Sequence, residues 1–300
     1  MNIKTYAGCI IRTIIPYLPR KIAHTILFYL NHGYFMNWNN PKTYDEKMTW
    51  IIAKLFGNGE AIFADKYKVR QYVEKSGFAY MLPRIYGVWS DADSIEFDKL
   101  PVQFVLKTNN GTGADCIEIC KNKEQLNVQL VKQKFNRALK KKIWKNQCEY
   151  HYRYIRPLIF AEELLNDNKG ERMTDYKIHC FNGKAECILV CSDRDKKLKL
   201  DYYDTNWNYL EITPPEIRSE KKVEKPLGLS EMINAAEKLS RPFPTARIDF
   251  YDIQGKIYFG EITLSPAGGN LVYITEKWQN IYGDLIKLDT TKKSFIKWDI

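Results

Sequence analysis

Arg247, Asp249 and Glu261 lie in the stretch ARIDFYDIQGKIYFGEITLSP (246–266), among residues otherwise suited to a buried hairpin. A type I turn over Asp252–Gly255, with Gly255 in a left-handed bulge position, would pair Asp249 with Phe259 and Arg247 with Glu261. One face would then carry Arg247, Asp249, Tyr251, Ile257, Phe259, Glu261 and Thr263. The other would be apolar: Ile248, Phe250, Tyr258, Ile262 and Leu264. The carboxylates become diagonal neighbours able to share a cation. A two-residue turn at Gln254-Gly255 would instead divide them between the faces. Hard oxygen ligands, an arginine and a Ser-Pro-Ala-Gly-Gly loop suit Mg²⁺ held on a polyphosphate. A solvated cross-strand ion pair accounts for the same residues without chemistry.

Three other stretches carry groups of the same kind. FVLKTNNGTGAD (104–115) ends an apolar run on Lys107 and continues into small residues. Backbone N–H groups of Gly111, Thr112 and Gly113 can cradle phosphates there while Lys107 supplies a point charge. Neither G-x-x-x-x-G-K-[ST] nor a strand-linked G-x-G-x-x-G occurs, and a tight turn explains the glycines equally well. FAEELLN (160–166) places Glu162 and Glu163 at a strand end, where backbone groups can read a base edge and a carboxylate can meet an amine or a ribose hydroxyl. A solvated loop start is the plain alternative. DYKIHCFNGK (175–184) puts Asp175, Lys177 and His179 on one face, and no two of the four histidines share metal-ligand spacing.

These groups need a frame of mixed strands and helices. Residues 1–58 read as a short helical region, with a Thr43/Glu46 capping box opening the helix in PKTYDEKMTWIIAKLF. A second helix is expected over 64–77, stopped by Gly77, within a linker at 59–100. Strands are expected at 103–109 and 154–165, with a helix over roughly 125–145 whose apolar face is Leu126, Leu130, Val131, Phe135, Ala138 and Leu139. A hairpin over 174–194 turns at Asn182-Gly183, and a helix at 229–240 precedes the Arg247 hairpin. The order lacks regular βαβ alternation, so the fold class is α+β.

Composition narrows the setting. The formal charge of the 300 residues is +10. Residues 121–145 alone hold nine Lys/Arg and one Glu, a stripe that attracts polyanions or is simply a solvated helix face. Seven cysteines without C-x-x-C argue against a disulfide framework or a zinc site, and point to reduced core thiols and the cytoplasm. The apolar stretch 6–35 is interrupted by Arg12, Pro16, Pro19, Arg20 and Lys21, so it suits packing helices or peripheral membrane contact rather than a bilayer span.

Taken in order, Lys66, Lys107 with its glycine loop, Glu162, Asp175/Lys177, Arg247-Ile-Asp249 and Glu261-Ile-Thr263 resemble an ATP-grasp enzyme over roughly residues 60–290. NNPKTYDEKMTW, DKYKVRQYV, YYDTNWN and RIDFYDIQGKIYFGEITLSPAGG further resemble the teichuronopeptide-biosynthesis (TupA-like) branch of polysaccharide gene clusters. The resemblance implies ATP between a small lid subdomain (101–165) and a larger one (166–300). It implies phosphate-binding Lys66 and Lys107, an adenine hinge at Glu162, Glu163 and Leu165, and nucleotide contacts from Asp175 and Lys177. Asp249 and Glu261 match metal ligands, and Thr263 stands at a third ligand position where such enzymes often carry Asn. Arg247 matches a residue that steadies the reacting oxyanions, and Arg194 is a candidate for the substrate carboxylate or a phosphate.

The activity so implied is ATP- and Mg²⁺-dependent carboxylate–amine ligation. A uronic acid of a surface polysaccharide, or its precursor, would meet an amino acid or small amine, with no nucleic-acid partner. The alternative is a metal-dependent glycosyltransferase using the D-x-D strings Asp91-Ala-Asp93 or Asp193-Arg-Asp195.

Overall fold

A computed structural model describes residues 13–165, 174–192, 198–220 and 222–289. Helices α1 (Arg20–His32), α2 (Tyr44–Lys54), α3 (Asn58–Ala64) and α4 (Val69–Lys75) come first. The expected capping box is formed: Thr43 Oγ1 accepts from the Glu46 N–H at 3.3 Å, and Glu46 accepts from the Thr43 N–H. Helix α2 is not peripheral. Tyr44, Met48, Ile51 and Ile52 are buried in the largest core cluster, so this helix is part of the main body.

Two antiparallel sheets frame the molecule. The smaller contains β1 (Ile85–Trp89), β2 (Phe104–Thr108), β3 (Ile117–Cys120) and β4 (Ile159–Glu162), in the order β1-β4-β2-β3. Its strand β1 comes from the stretch read as linker, so a boundary at 101 falls inside this sheet. One face, with Phe104, Leu106, Ile159 and Ala161, packs on Val131 and Phe135 of α5 (Val128–Leu139). This helix is shorter than the expected 125–145. Leu130 points to solvent at 61% exposure, because inward positions recur from Val131 to Phe135 and Ala138.

The larger sheet contains β5 (Asp175–Phe181), β6 (Lys184–Ser192), β7 (Lys199–Tyr203), β8 (Tyr209–Leu210), β9 (Thr245–Ile253) and β10 (Lys256–Thr263). Its order is β10-β9-β5-β6-β7-β8. The β5–β6 hairpin turns at Asn182-Gly183 as expected, both with positive φ (51° and 77°). On one face Ile178, Ile248 and Phe250 share the core with Met232, Ala235, Ala236 and Leu239 of α6 (Leu229–Ser240). The opposite face is covered at one end by α2 and α7 (Glu276–Leu285). There Tyr282 stacks on His179 and its hydroxyl lies 2.7 Å from Cys187 Sγ. Beyond these helices the same face holds the charged residues described next. No disulfide joins the described cysteines. No described helix is long and apolar enough to cross a membrane.

Candidate active site

The β9–β10 hairpin uses the two-residue turn: Ile253 pairs with Lys256, while Gln254 and Gly255 take φ of 54° and 88°. This replaces the expected bulged type I turn and moves the register. Arg247 is opposite Thr263 rather than Glu261. Ile257 and Phe259 join the core, and Tyr258 turns to the other face. That register alone would divide the carboxylates. A bulge between Phe259 and Glu261 absorbs Gly260 and brings Glu261 directly opposite Asp249.

Two rows of side chains then run across three strands. Lys177, Asp249 and Glu261 form one, and His179, Arg247 and Thr263 the other. Arg247 grips Asp249 with both arms, Nε to Oδ1 at 2.7 Å and Nη2 to Oδ2 at 2.8 Å. The same Nη2 lies 3.0 Å from Glu261 Oε1 and 3.1 Å from Thr263 Oγ1, and Thr263 in turn donates to Glu261 at 2.9 Å. Lys177 pairs with Asp249 from the other side and lies 3.9 Å from Asp175. Burial alone would depress the Arg247 pKa, but Asp249 and Glu261 more than offset it and hold the guanidinium charged. Burial likewise opposes ionisation of Glu261. Lys66, then Arg247 and Lys177, outweigh it and hold that carboxyl below the usual range.

Lys66 connects the two sheets. It lies in the turn before α4, not inside a helix spanning 64–77, and its Nζ is 3.2 Å from Glu261 Oε2 and donates to the Gly111 carbonyl at 3.0 Å. Its position is set by two buried residues that the motif reading passed over. Asp65 accepts from the N–H groups of Tyr67 and Lys68, and from Asn109 Nδ2 at 2.8 Å. Asn109 also bonds the Arg156 carbonyl and the Leu158 N–H, while its own carbonyl accepts from the Lys66 N–H. The visible signal was a pair of asparagines where β2 meets the glycine loop, adjoining a lysine expected to bind phosphate.

Lys107 lies on the face of the smaller sheet away from α5 and forms an ion pair with Glu162 of β4. Gly111 has no room for a side chain, since a Cβ there would fall 2.1 Å from Thr108 Oγ1. Thr112 and Gly113 follow in the exposed part of the loop. Glu163 leaves the strand, its N–H on the Arg84 carbonyl at 2.8 Å, and Leu165 is half-buried just beyond. Arg194 and the string at 193–195 lie outside the described residues. Asp91 closes a surface turn on the Ser94 N–H, and Asp93 accepts from Asn136, so both are engaged in local structure. Glu149, a half-buried carboxylate without a sequence signal, accepts from Ser265, and desolvation pushes its pKa up to about 7.

Among the described residues no three His, Cys, Asp or Glu side chains converge as a metal cage. The adjacent pair Asp249 and Glu261 still suits a hard cation completed by phosphate oxygens, as Mg²⁺ is commonly held. Arg247, Lys177 and Lys66 balance the charge of these carboxylates.

The TupA-like ATP-grasp family model matches residues 46–287. No curated protein sequence gives a significant match. Among solved structures the chain is similar to D-alanine–D-alanine ligase from Bacillus anthracis, at 16% identity and a TM-score of 0.46, covering 76% of this chain and 67% of that one. It is also similar to D-cycloserine synthetase DcsG, at 11% identity, 74% and 69% coverage and a TM-score of 0.44. A RimK-domain ATP-grasp protein from Sphaerobacter thermophilus gives 9% identity, 76% and 69% coverage and a TM-score of 0.42. The family match spans both sheets, the Lys66 turn and the Asp249–Glu261 hairpin, and by it the chain belongs to the TupA-like ATP-grasp family.

Proposed function

We propose that the protein activates a carboxylate with ATP and joins it to an amine. The observation that carries this is the Asp249–Glu261 pair, gripped by Arg247 and linked through Lys66 to the Gly111 loop. A carboxylate oxygen attacks the γ-phosphorus and ADP leaves, giving an acyl phosphate. The amine nitrogen then attacks the acyl carbon, phosphate departs and the nitrogen loses a proton, leaving an amide. Phosphoryl transfer needs positioning and charge stabilisation above all. Lys66 and Lys107 are assigned to the phosphates, with Gly111, Thr112 and Gly113 as the backbone cradle. Arg247 is assigned to the oxygens that gain charge. Glu162, Glu163 and Leu165 border the base, and Asp175 and Lys177 complete the nucleotide contacts.

Asp249 and Glu261 would hold Mg²⁺, with Thr263 beside them orienting Glu261. When bound, the metal neutralises charge on the phosphate oxygens. On the strength of the motif resemblance, the carboxylate belongs to a uronic acid of a surface polysaccharide or its precursor, and the amine to an amino acid or small amine. The test is ADP and phosphate release with Mg-ATP, a panel of uronates and a panel of amines. Equimolar ADP, phosphate and amide, lost in Glu261→Gln, is expected. Turnover that survives in both Asp249→Asn and Glu261→Gln would remove the site assignment.

A further inference from the structure

A cleft of about 860 Å³ opens beside the glycine loop, between the start of α1 and the segment that follows α5. Six cations line it: Arg20, Lys140, Lys141, Lys142, Lys145 and Arg153. No carboxylate lines it. Lys141 pairs with Asp115 at 2.5 Å, whereas the other five form no ion pair among the described residues. Aromatic rings hold several of them instead. Arg20 lies over Tyr150 at 4.8 Å, Lys145 over Tyr17 at 4.6 Å, and Arg153 over Trp144 at 5.6 Å.

A second observation marks the inner end. Asn110, next to Gly111 in the chain, lines the cleft and is 4% exposed, yet its side-chain oxygen has no hydrogen-bond partner among the described residues. A buried polar atom left without a partner costs stability, so such an atom in a cleft wall marks a place for a ligand group. The volume is near the upper end of small-molecule sites, which run to about 1,000 Å³. A free amino acid would leave most of it empty.

We propose that this cleft binds the carboxylate substrate as an acidic oligosaccharide of several sugar rings, its reacting end beside Asn110. Unpaired lysines and arginines match repeated negative charges. The faces of Trp144 and Tyr17 match the apolar C–H faces of sugar rings. Asn110 adjoins the loop that carries the Lys66 contact, so a sugar hydroxyl or carboxyl at the inner end would lie next to the transferable phosphate. This inference rests on the ligase reading and adds to it the size and charge of the acceptor.

The experiment is calorimetric titration of the full chain with tetragalacturonate and with its neutral methyl ester, each with and without a non-hydrolysable ATP analogue. Loss of nucleotide binding and loss of oligosaccharide binding are thereby read separately. The acid should bind at least about tenfold tighter than the ester, since hydrogen bonds to charged groups are worth a decade or more each. Lys142→Ser with Arg153→Ser should weaken the acid about tenfold and leave the analogue unaffected. Both side chains are exposed, so folding is not at risk. Trp144→Ala should weaken acid and ester alike. Equal affinity for the two sugars, or no response to these substitutions, would overturn the proposal. So would tight binding of single-stranded DNA or phosphatidylglycerol vesicles that the same substitutions abolish and tetragalacturonate does not displace.

Discussion

Asp249 and Glu261 face each other across β9 and β10 only because Gly260 is taken out of the ladder between them. A Cβ on Gly260 would lie 3.0 Å from the Asp249 carbonyl oxygen, a backbone atom that cannot swing aside. Gly260→Ala should therefore cost about 1–2 kcal/mol and lower ATP turnover by displacing Asp249. Urea unfolding and ADP release would measure both. A variant as stable and active as the parent would mean the bulge has slack.

The two carboxylates should differ when neutralised. The Asp249 side chain is 6% exposed and held between Arg247 and Lys177, while Glu261 is 29% exposed. Asp249→Asn should destabilise by about 2–3 kcal/mol because it leaves two largely enclosed cations, Arg247 and Lys177, short of a counter-charge. Glu261→Gln should cost no more than about 1 kcal/mol. Both should lower turnover by about a hundredfold or more. Equal stability losses would contradict this account of burial.

Lys107 and Glu162 balance one another, so a single deletion confounds binding with stability. Lys107→Met should weaken ATP about tenfold and also destabilise the fold by about 2 kcal/mol. Adding Glu162→Gln should restore most of the stability and none of the affinity. A double-mutant cycle read by unfolding and by nucleotide titration separates the two roles. Recovery of affinity in the double variant would remove Lys107 from the phosphate site.

His151 is fully buried against Phe56 and Tyr152, and neither ring nitrogen has a hydrogen-bond partner among the described residues. Burial first, and Arg20 second, push its pKa down from 6.5 to about 3. In that window the unfolded chain binds the extra proton, so stability falls as pH drops below 6.5. His151→Leu removes this sensitivity. Relative to the parent, the variant should gain ~2 kcal/mol between pH 7.5 and pH 5, measured as the shift in urea midpoint. Parallel pH profiles would show that the ring is hydrated in the folded state.

The strand carrying Arg247 and Asp249, the Asn182-Gly183 turn and the Thr43 cap were legible because each is a local pattern with one dominant cause. The β9–β10 register was not. Two turns competed over four residues, and the deciding feature, a bulge at Gly260, depends on cross-strand packing that no short window contains. Asp65 and Asn109 were missed for a related reason. The two bond each other across 44 residues of sequence, and neither residue type announces burial. Strand β1 was read as linker because IYGVW offers no alternation, and all five of its residues are half-buried.

The Asp65–Asn109 bonds have a mechanical meaning. Through them the Lys66 turn is fastened to the β2 and β4 ends of the smaller sheet, while the far end of the Lys66 side chain rests on Glu261 of the larger one. Lys66 therefore rides with the small sheet like a pin fixed in one jaw of a clamp. Any change in the angle between the jaws must lengthen or shorten the Lys66–Glu261 contact before it disturbs the frame on either side.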